Sequence, residues 1–161
     1  MDKLPFTPEY LLEVIGTFYG ELVYLNRLSS LTNCAIDSRD TVTGFTDLFK
    51  KITEGAGMDE MMDDGISIGY SIIKALNDCD GAAFADLQAL NQWFVSRAGS
   101  KQAMVDAASA NSRLHSQEIQ QHVMEVWDVF FKFNEPRKTG IALGQVAYWA
   151  LGPVDKLNAL L

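Results

Sequence analysis

The 161-residue chain contains little cysteine, proline and histidine, and it has no long uncharged apolar run. Its two cysteines, Cys34 and Cys79, belong to no CxxC pair and fit no zinc-binding spacing. The absence of a run of about 18 uncharged apolar residues argues against an integral membrane span. Twelve glycines and four prolines are too few for a collagen-like or low-complexity chain.

The first residues do not resemble a secretory signal, and the common catalytic motifs are absent from the sequence. Residues 1–5 have neither the basic nor the apolar region of a secretory signal. There is no G-x-S-x-G, no Walker loop, no G-x-G-x-x-G and no H-E-x-x-H in the sequence. We therefore expect a cytoplasmic, non-enzymatic protein with reduced thiols and no cofactor.

Basic residues are fewer than acidic residues, and the formal net charge is −8. The imbalance is concentrated in residues 34–80, which hold ten acidic and four basic residues. Binding to nucleic acid or to an anionic membrane needs Lys and Arg, so neither partner is expected. An acidic surface instead attracts a basic partner, and such association is salt-sensitive.

Apolar and aromatic residues are abundant, which excludes a disordered chain. They make up 48% and 11% of the sequence, enough for a packed core. Apolar residues recur at helical spacing, and no segment alternates as a strand would. Helices are predicted over about 8–28, 45–52, 58–78, 80–99, 101–134 (with a break near 111–112) and 139–151. We expect an all-α, single-domain helical bundle of about five to seven helices over residues 1–161.

Two pairs of glycines lie four residues apart within predicted helices. Gly16 and Gly20 fall in the first helix, and Gly65 and Gly69 fall in the third. A glycine inside a helix costs about 1 kcal/mol relative to alanine. We therefore expect these positions to allow close packing between helices. Alternatively, Gly16 and Gly20, which lie off the main apolar stripe, form a second contact face for a partner.

The two histidines occur with two glutamates in the pattern H-x-x-E-x-x-x-H-x-x-E. Its members are His115, Glu118, His122 and Glu125. Histidine and carboxylate are metal ligands, so the pattern is compatible with a metal site in the bundle. However, di-iron bundles use Glu-x-x-His on two helices, whereas this chain has the reverse order on one. The competing interpretation is a set of i, i+3 helix pairs at the edge of the core.

Residues 140–154 form an uncharged segment near the end of the chain. Its apolar residues fall all round the helical wheel, so the helix must be covered on every side. At 15 residues it is too short to span a bilayer. The segment is therefore a central core helix, a helix that completes a homo-oligomer interface, or a docking segment for a partner.

These features predict a protein that binds a protein partner, of the inhibitor, immunity, assembly-factor or chaperone type. Val146, Tyr148 and Trp149 are expected to make contact, because aromatic residues dominate interface energetics. Four acids are expected to steer a basic partner: Asp59, Glu60, Asp63 and Asp64. The alternative function is a helical bundle that binds a metal or a small apolar ligand with His115 and His122.

Overall fold

The structure is a computed structural model that describes residues 7–32, 34, 39–76, 84–130 and 135–154. These residues form six α-helices, one 3-10 helix and no strand, which confirms the predicted all-α class. The elements are α1 (Pro8–Leu25), the 3-10 helix (Ser29–Leu31), α2 (Arg39–Thr53), α3 (Met58–Leu76), α4 (Phe84–Ala98), α5 (Lys101–Phe130) and α6 (Pro136–Leu151). No helix in these ranges is both long enough and apolar enough to cross a membrane.

Capping residues determine where several helices begin. The Thr7 hydroxyl accepts a hydrogen bond from the Tyr10 backbone N–H at 3.1 Å, and Pro8 occupies the first turn of α1. Ser100 caps α5 in the same way. Pro136 begins α6, three residues before the predicted start. Proline suits a first helical turn, which explains why α6 begins earlier than predicted.

Helix α6 lies between α1 and α5 and packs along both. Helix α2 packs on α3, and α4 contacts α3, α5 and the 3-10 helix. Contacts of α1 with α2, and of α3 with α5, join these two groups of helices. The uncharged segment therefore packs between two helices of the fold, but it is not covered on every side, since its residues 145–151 are only half-buried.

Glycines of α6 make the close approach between α6 and α1. A Cβ added at Gly140 would lie 2.5 Å from the Val14 carbonyl oxygen and 2.9 Å from the Phe18 nitrogen. A Cβ added at Gly144 would lie 2.8 Å from Glu21 Cβ. Real Cβ atoms essentially never come within 3.0 Å of such neighbours. This glycine pair, four residues apart on one helix face, is therefore required for the observed packing.

The four glycines selected from the sequence behave differently from one another. Nothing lies within 4 Å of a Cβ added at Gly16 or Gly20, and both positions are exposed, so the close packing expected there is not found. A Cβ at Gly69 would overlap the Phe94 ring, so α3 and α4 do approach closely at this residue. At Gly65 the nearest atom is the terminal carbon of a methionine in α5, at 3.3 Å.

Aromatic rings from α1 and α2 form one side of the core. Phe45 and Phe49 are fully buried and meet edge to face, with ring centroids 6.0 Å apart. Phe18 and Tyr10 of α1 make further edge contacts with these rings, at 5.5 and 6.4 Å. Such pairs add about 0.5–1.5 kcal/mol to the burial of the rings themselves, so they hold α1 against α2.

Tyr19 gives the fold a measurable sensitivity to alkaline pH. Its buried hydroxyl donates a hydrogen bond to the Leu31 carbonyl oxygen at 2.6 Å. Burial raises the pKa of Tyr19 above its usual value of 10.0. Because the folded state favours the protonated form, this stabilisation is complete below about pH 10 and is lost as the pH rises further.

We therefore expect the free energy of unfolding to fall above about pH 10, and to fall less in Tyr19→Phe. Denaturant unfolding at a series of alkaline pH values measures both profiles. Identical slopes in the two proteins would contradict the burial of this hydroxyl.

Cys34 is disulfide-bonded, so the expectation of reduced thiols is wrong. The chain has one other cysteine, Cys79, which lies outside the described residues. A cross-link of this kind restricts the unfolded chain and so stabilises the fold.

Candidate functional site

The aromatic residues predicted to contact a partner lie within the packing of α6. Val146, Tyr148 and Trp149 are all half-buried on this central helix. The Trp149 ring lies 5.0 Å from the His115 ring of α5 and 5.5 Å from the Tyr148 ring, measured between centroids. At least one of the predicted contact residues is therefore occupied by contacts within the fold.

The predicted steering acids cluster at the start of α3, where lysines already meet them. Lys101 Nζ lies 2.9 Å from an Asp59 oxygen and 3.4 Å from an Asp63 oxygen. The hydrogen bond to Asp59 is the main cause of a raised Lys101 pKa, and Asp63 adds to it. Lysine therefore neutralises part of the negative potential expected here.

The other two acids of the cluster differ in exposure. Asp64 is buried, and its carboxylate pairs with Lys51 Nζ at 3.0 Å. That hydrogen bond raises the pKa of Lys51. Glu60 is exposed and faces solvent. The Lys101 pairs with Asp59 and Asp63 are exposed and contribute little to stability. The cluster therefore links α2, α3 and α5 more than it supplies a strong negative field.

The two histidines are separated by a change in helix direction. His115 has non-helical backbone angles, φ −133° and ψ 34°, and marks a kink in α5 three residues after the predicted break. His122 Nδ1 lies 3.2 Å from an oxygen of Glu125. The described residues, which include Glu118, contain no group of three or more His, Cys, Asp or Glu side chains able to hold a metal ion. The predicted ligands are thus not assembled into a metal centre.

The second half of α5 carries large apolar side chains on its outer side. We define the α5 face as Val123, Met124 and Trp127, which are 46%, 66% and 61% exposed. The half-buried residues of this stretch recur at helical spacing on the opposite side, where His115 packs on Trp149 of α6. Helix α6 therefore packs on one side of α5, and the three side chains of the α5 face are exposed on another side.

The sequence places Ile119, Val123, Val126 and Trp127 on one apolar side of this stretch. With Met124, this apolar arc spans about 160° of the helix. One neighbouring helix covers an apolar stripe of roughly 100°. An arc much wider than this needs either a second neighbour or an external partner.

Acidic and amide side chains surround the α5 face. Residues 114–130 contain three acids and no Lys or Arg. A shallow depression beside Met124 is lined by glutamines and acids: Gln117, Gln120, Gln121, Glu125 and Asp128. The face therefore combines an apolar centre with a polar, negatively charged rim, which is the usual anatomy of a protein interface.

Comparison of the chain with known protein families, curated proteins and solved structures gave no match.

Proposed function

We propose that this protein is a non-enzymatic binding protein that holds a protein partner through the α5 face. The observation that carries the proposal is the exposure of Met124 and Trp127 side by side, on a helix whose other side is packed on α6. Trp and Met are enriched in the cores of protein interfaces, and Trp is the most frequent energetic anchor. Compared with the sequence-based proposal, the contact surface moves from α6 to α5.

The chemistry of the rim favours a basic partner. The segment that carries the face has three negative charges and no positive ones, and the whole chain has a net charge of −8. A helix or strand that is apolar along one side and bears Lys or Arg along its edges complements this arrangement. Two copies of the chain would bring like charges together at the rim, so self-association through this face is disfavoured.

The affinity for the partner should depend strongly on Trp127 and weakly on exposed aromatic residues elsewhere. Truncation of an interface anchor costs about 2 kcal/mol or more, which is roughly a 30-fold loss of affinity. We expect Trp127→Ala to show this loss, whereas Tyr24→Ala, at a 75% exposed position on α1, should bind like the wild type. Quantitative capture of the partner from the source cells, at low and moderate salt, measures binding by each variant. Circular dichroism checks that both variants are folded.

Each outcome of this comparison bears on the proposal. A captured protein that is lost in Trp127→Ala and at moderate salt, but retained in Tyr24→Ala, supports the α5 face as the site. Equal recovery with all three baits would show that contact lies elsewhere. Recovery of the chain alone, as a stable homodimer, would replace the basic partner with a second copy.

The cytoplasmic location remains a proposal, and the disulfide of Cys34 argues against it. Disulfides persist mainly in oxidising compartments and are rare in the cytosol. Alkylation of accessible thiols in intact cells, before lysis, distinguishes disulfide-bonded cysteines from reduced cysteines. Retention of the bond would favour an oxidising compartment, and full alkylation of both cysteines would favour the cytoplasm.

A further inference from the structure

A partly enclosed apolar cavity of about 200 Å³ lies between α3 and α6. Gly65 and Gly69 of α3 line one wall, and Leu143 and Ala147 of α6 line another. Side chains from α1, α2, α4 and α5 complete the lining, so all six α-helices of the described residues contribute to it. The cavity is distinct from the α5 face, which lies beyond the kink at His115.

The wall of the cavity offers a ligand no free hydrogen-bonding side chain. Only two lining side chains carry a nitrogen or oxygen atom, those of Tyr19 and Trp93. The Tyr19 hydroxyl donates to the Leu31 carbonyl, and the Trp93 indole N–H donates to the Gly152 carbonyl at 2.8 Å. Water needs two to four polar partners in a buried site, so this cavity favours an apolar occupant.

Small residues contribute to two walls of the cavity, glycine on α3 and alanine on α6. At Gly65 the nearest atom to an added Cβ is the Met104 terminal carbon, at 3.3 Å, and this flexible side chain forms part of the wall. Methionine adapts readily to differently shaped contacts, so the wall can accommodate an incoming molecule.

We propose that this cavity is a binding site for a small, uncharged, apolar molecule without hydrogen-bonding groups. An apolar cavity of about 150 Å³ engineered in another protein stays dry and takes up benzene. By the same measure, about 200 Å³ accommodates a hydrocarbon of roughly six to ten carbon atoms, either a single aromatic ring or a short alkyl chain. The site uses neither His115 nor His122, unlike the ligand site predicted from the sequence.

Benzene and phenol form a matched pair of probes for this site. Both present the same ring, but the phenol hydroxyl would lose its hydrogen bonds to water and find no partner in the wall. We expect benzene to raise the melting temperature of the intact protein in a saturable manner. Phenol should bind at least about tenfold more weakly. Calorimetric melts over a concentration series of each probe give both affinities.

Matched substitutions of two alanines by leucine test whether benzene binds in this cavity. Ala147→Leu fills the cavity from α6, whereas Ala150→Leu makes the same change on the same helix at a half-buried position outside the lining. We expect the benzene response to disappear in Ala147→Leu and to persist in Ala150→Leu. Leu143→Phe is a second filling variant, for use if Ala147→Leu does not fold.

The result that would overturn the proposal is a wild-type protein that benzene does not stabilise, or an equal response in the wild type and the folded filling variant. Stronger stabilisation by phenol than by benzene would also overturn it. Trp127→Ala should keep the full benzene response, so failure of the cavity proposal and failure of the α5-face proposal can be distinguished.

Discussion

Gly140→Ala is expected to destabilise the protein by about 2–3 kcal/mol, the upper range for overpacking a tightly fitted core. The added methyl would meet the Val14 carbonyl oxygen and the Phe18 nitrogen, which are backbone atoms of α1. Backbone cannot move aside as a flexible side chain can, so α6 must shift away from α1. Chemical denaturation by urea, followed by circular dichroism, measures the loss.

Gly16→Ala is the matched control for this substitution. It makes the same chemical change on the other helix of the pair, at a position with nothing within 4 Å. Alanine is the better helix former, so we expect a gain of about 0.5–1 kcal/mol. Gly140→Ala as stable as Gly16→Ala would contradict the close packing of α6 against α1.

Cys34→Ser is expected to destabilise the protein by about 2–4 kcal/mol, the typical contribution of a disulfide. The reason is that the cross-link restricts the unfolded chain, which gains conformational freedom when the bond is absent. Thermal or urea unfolding under oxidising conditions measures the difference between the variant and the wild type.

Reduction supplies the control for this prediction. With a strong reductant present, the wild type should lose the same stability and become indistinguishable from Cys34→Ser, whereas the variant itself should not respond. A wild type whose midpoint is unchanged by complete reduction would show that the disulfide does not support the fold.

Much of the architecture followed from local signals in the sequence. The predicted starts of α1 and α5 are confirmed, and in both helices a residue just before the first turn, Thr7 or Ser100, caps a backbone N–H. Gly152, with φ of 88°, ends α6 as predicted, because a positive φ stops a helix and favours glycine. These signals act within one turn, so they can be recognised without knowing which helices become neighbours.

Features that depend on tertiary neighbours could not be predicted from local sequence signals. The spacing of Gly16 and Gly20 is identical to that of Gly140 and Gly144, yet only the second pair faces another helix. The spacing of residues shows which face of a helix they share, but it does not show which other helix packs against that face. The disulfide was missed for a similar reason, since two cysteines far apart in sequence give no information about their separation in space.

The candidate site illustrates the same limit. The sequence predicts a helix that is covered on every side, whereas α6 packs between α1 and α5 and its residues 145–151 are only half-buried. With those helices packed on α6, the Trp149 ring contacts the His115 ring of α5, and the outer side of α5 remains exposed. The cavity between α3 and α6 is likewise a product of six helices together and has no local signature.

Site-specific photo-crosslinking tests the proposed function most directly. A benzoylphenylalanine placed at Met124 would sit on the α5 face, and one placed at Tyr70, which is 51% exposed on α3, serves as the control. After irradiation in the source cells, the α5-face account predicts a covalent adduct between the Met124 probe and a different, basic protein, with none from the Tyr70 probe. Adducts formed equally from both positions, or none from Met124, would contradict it.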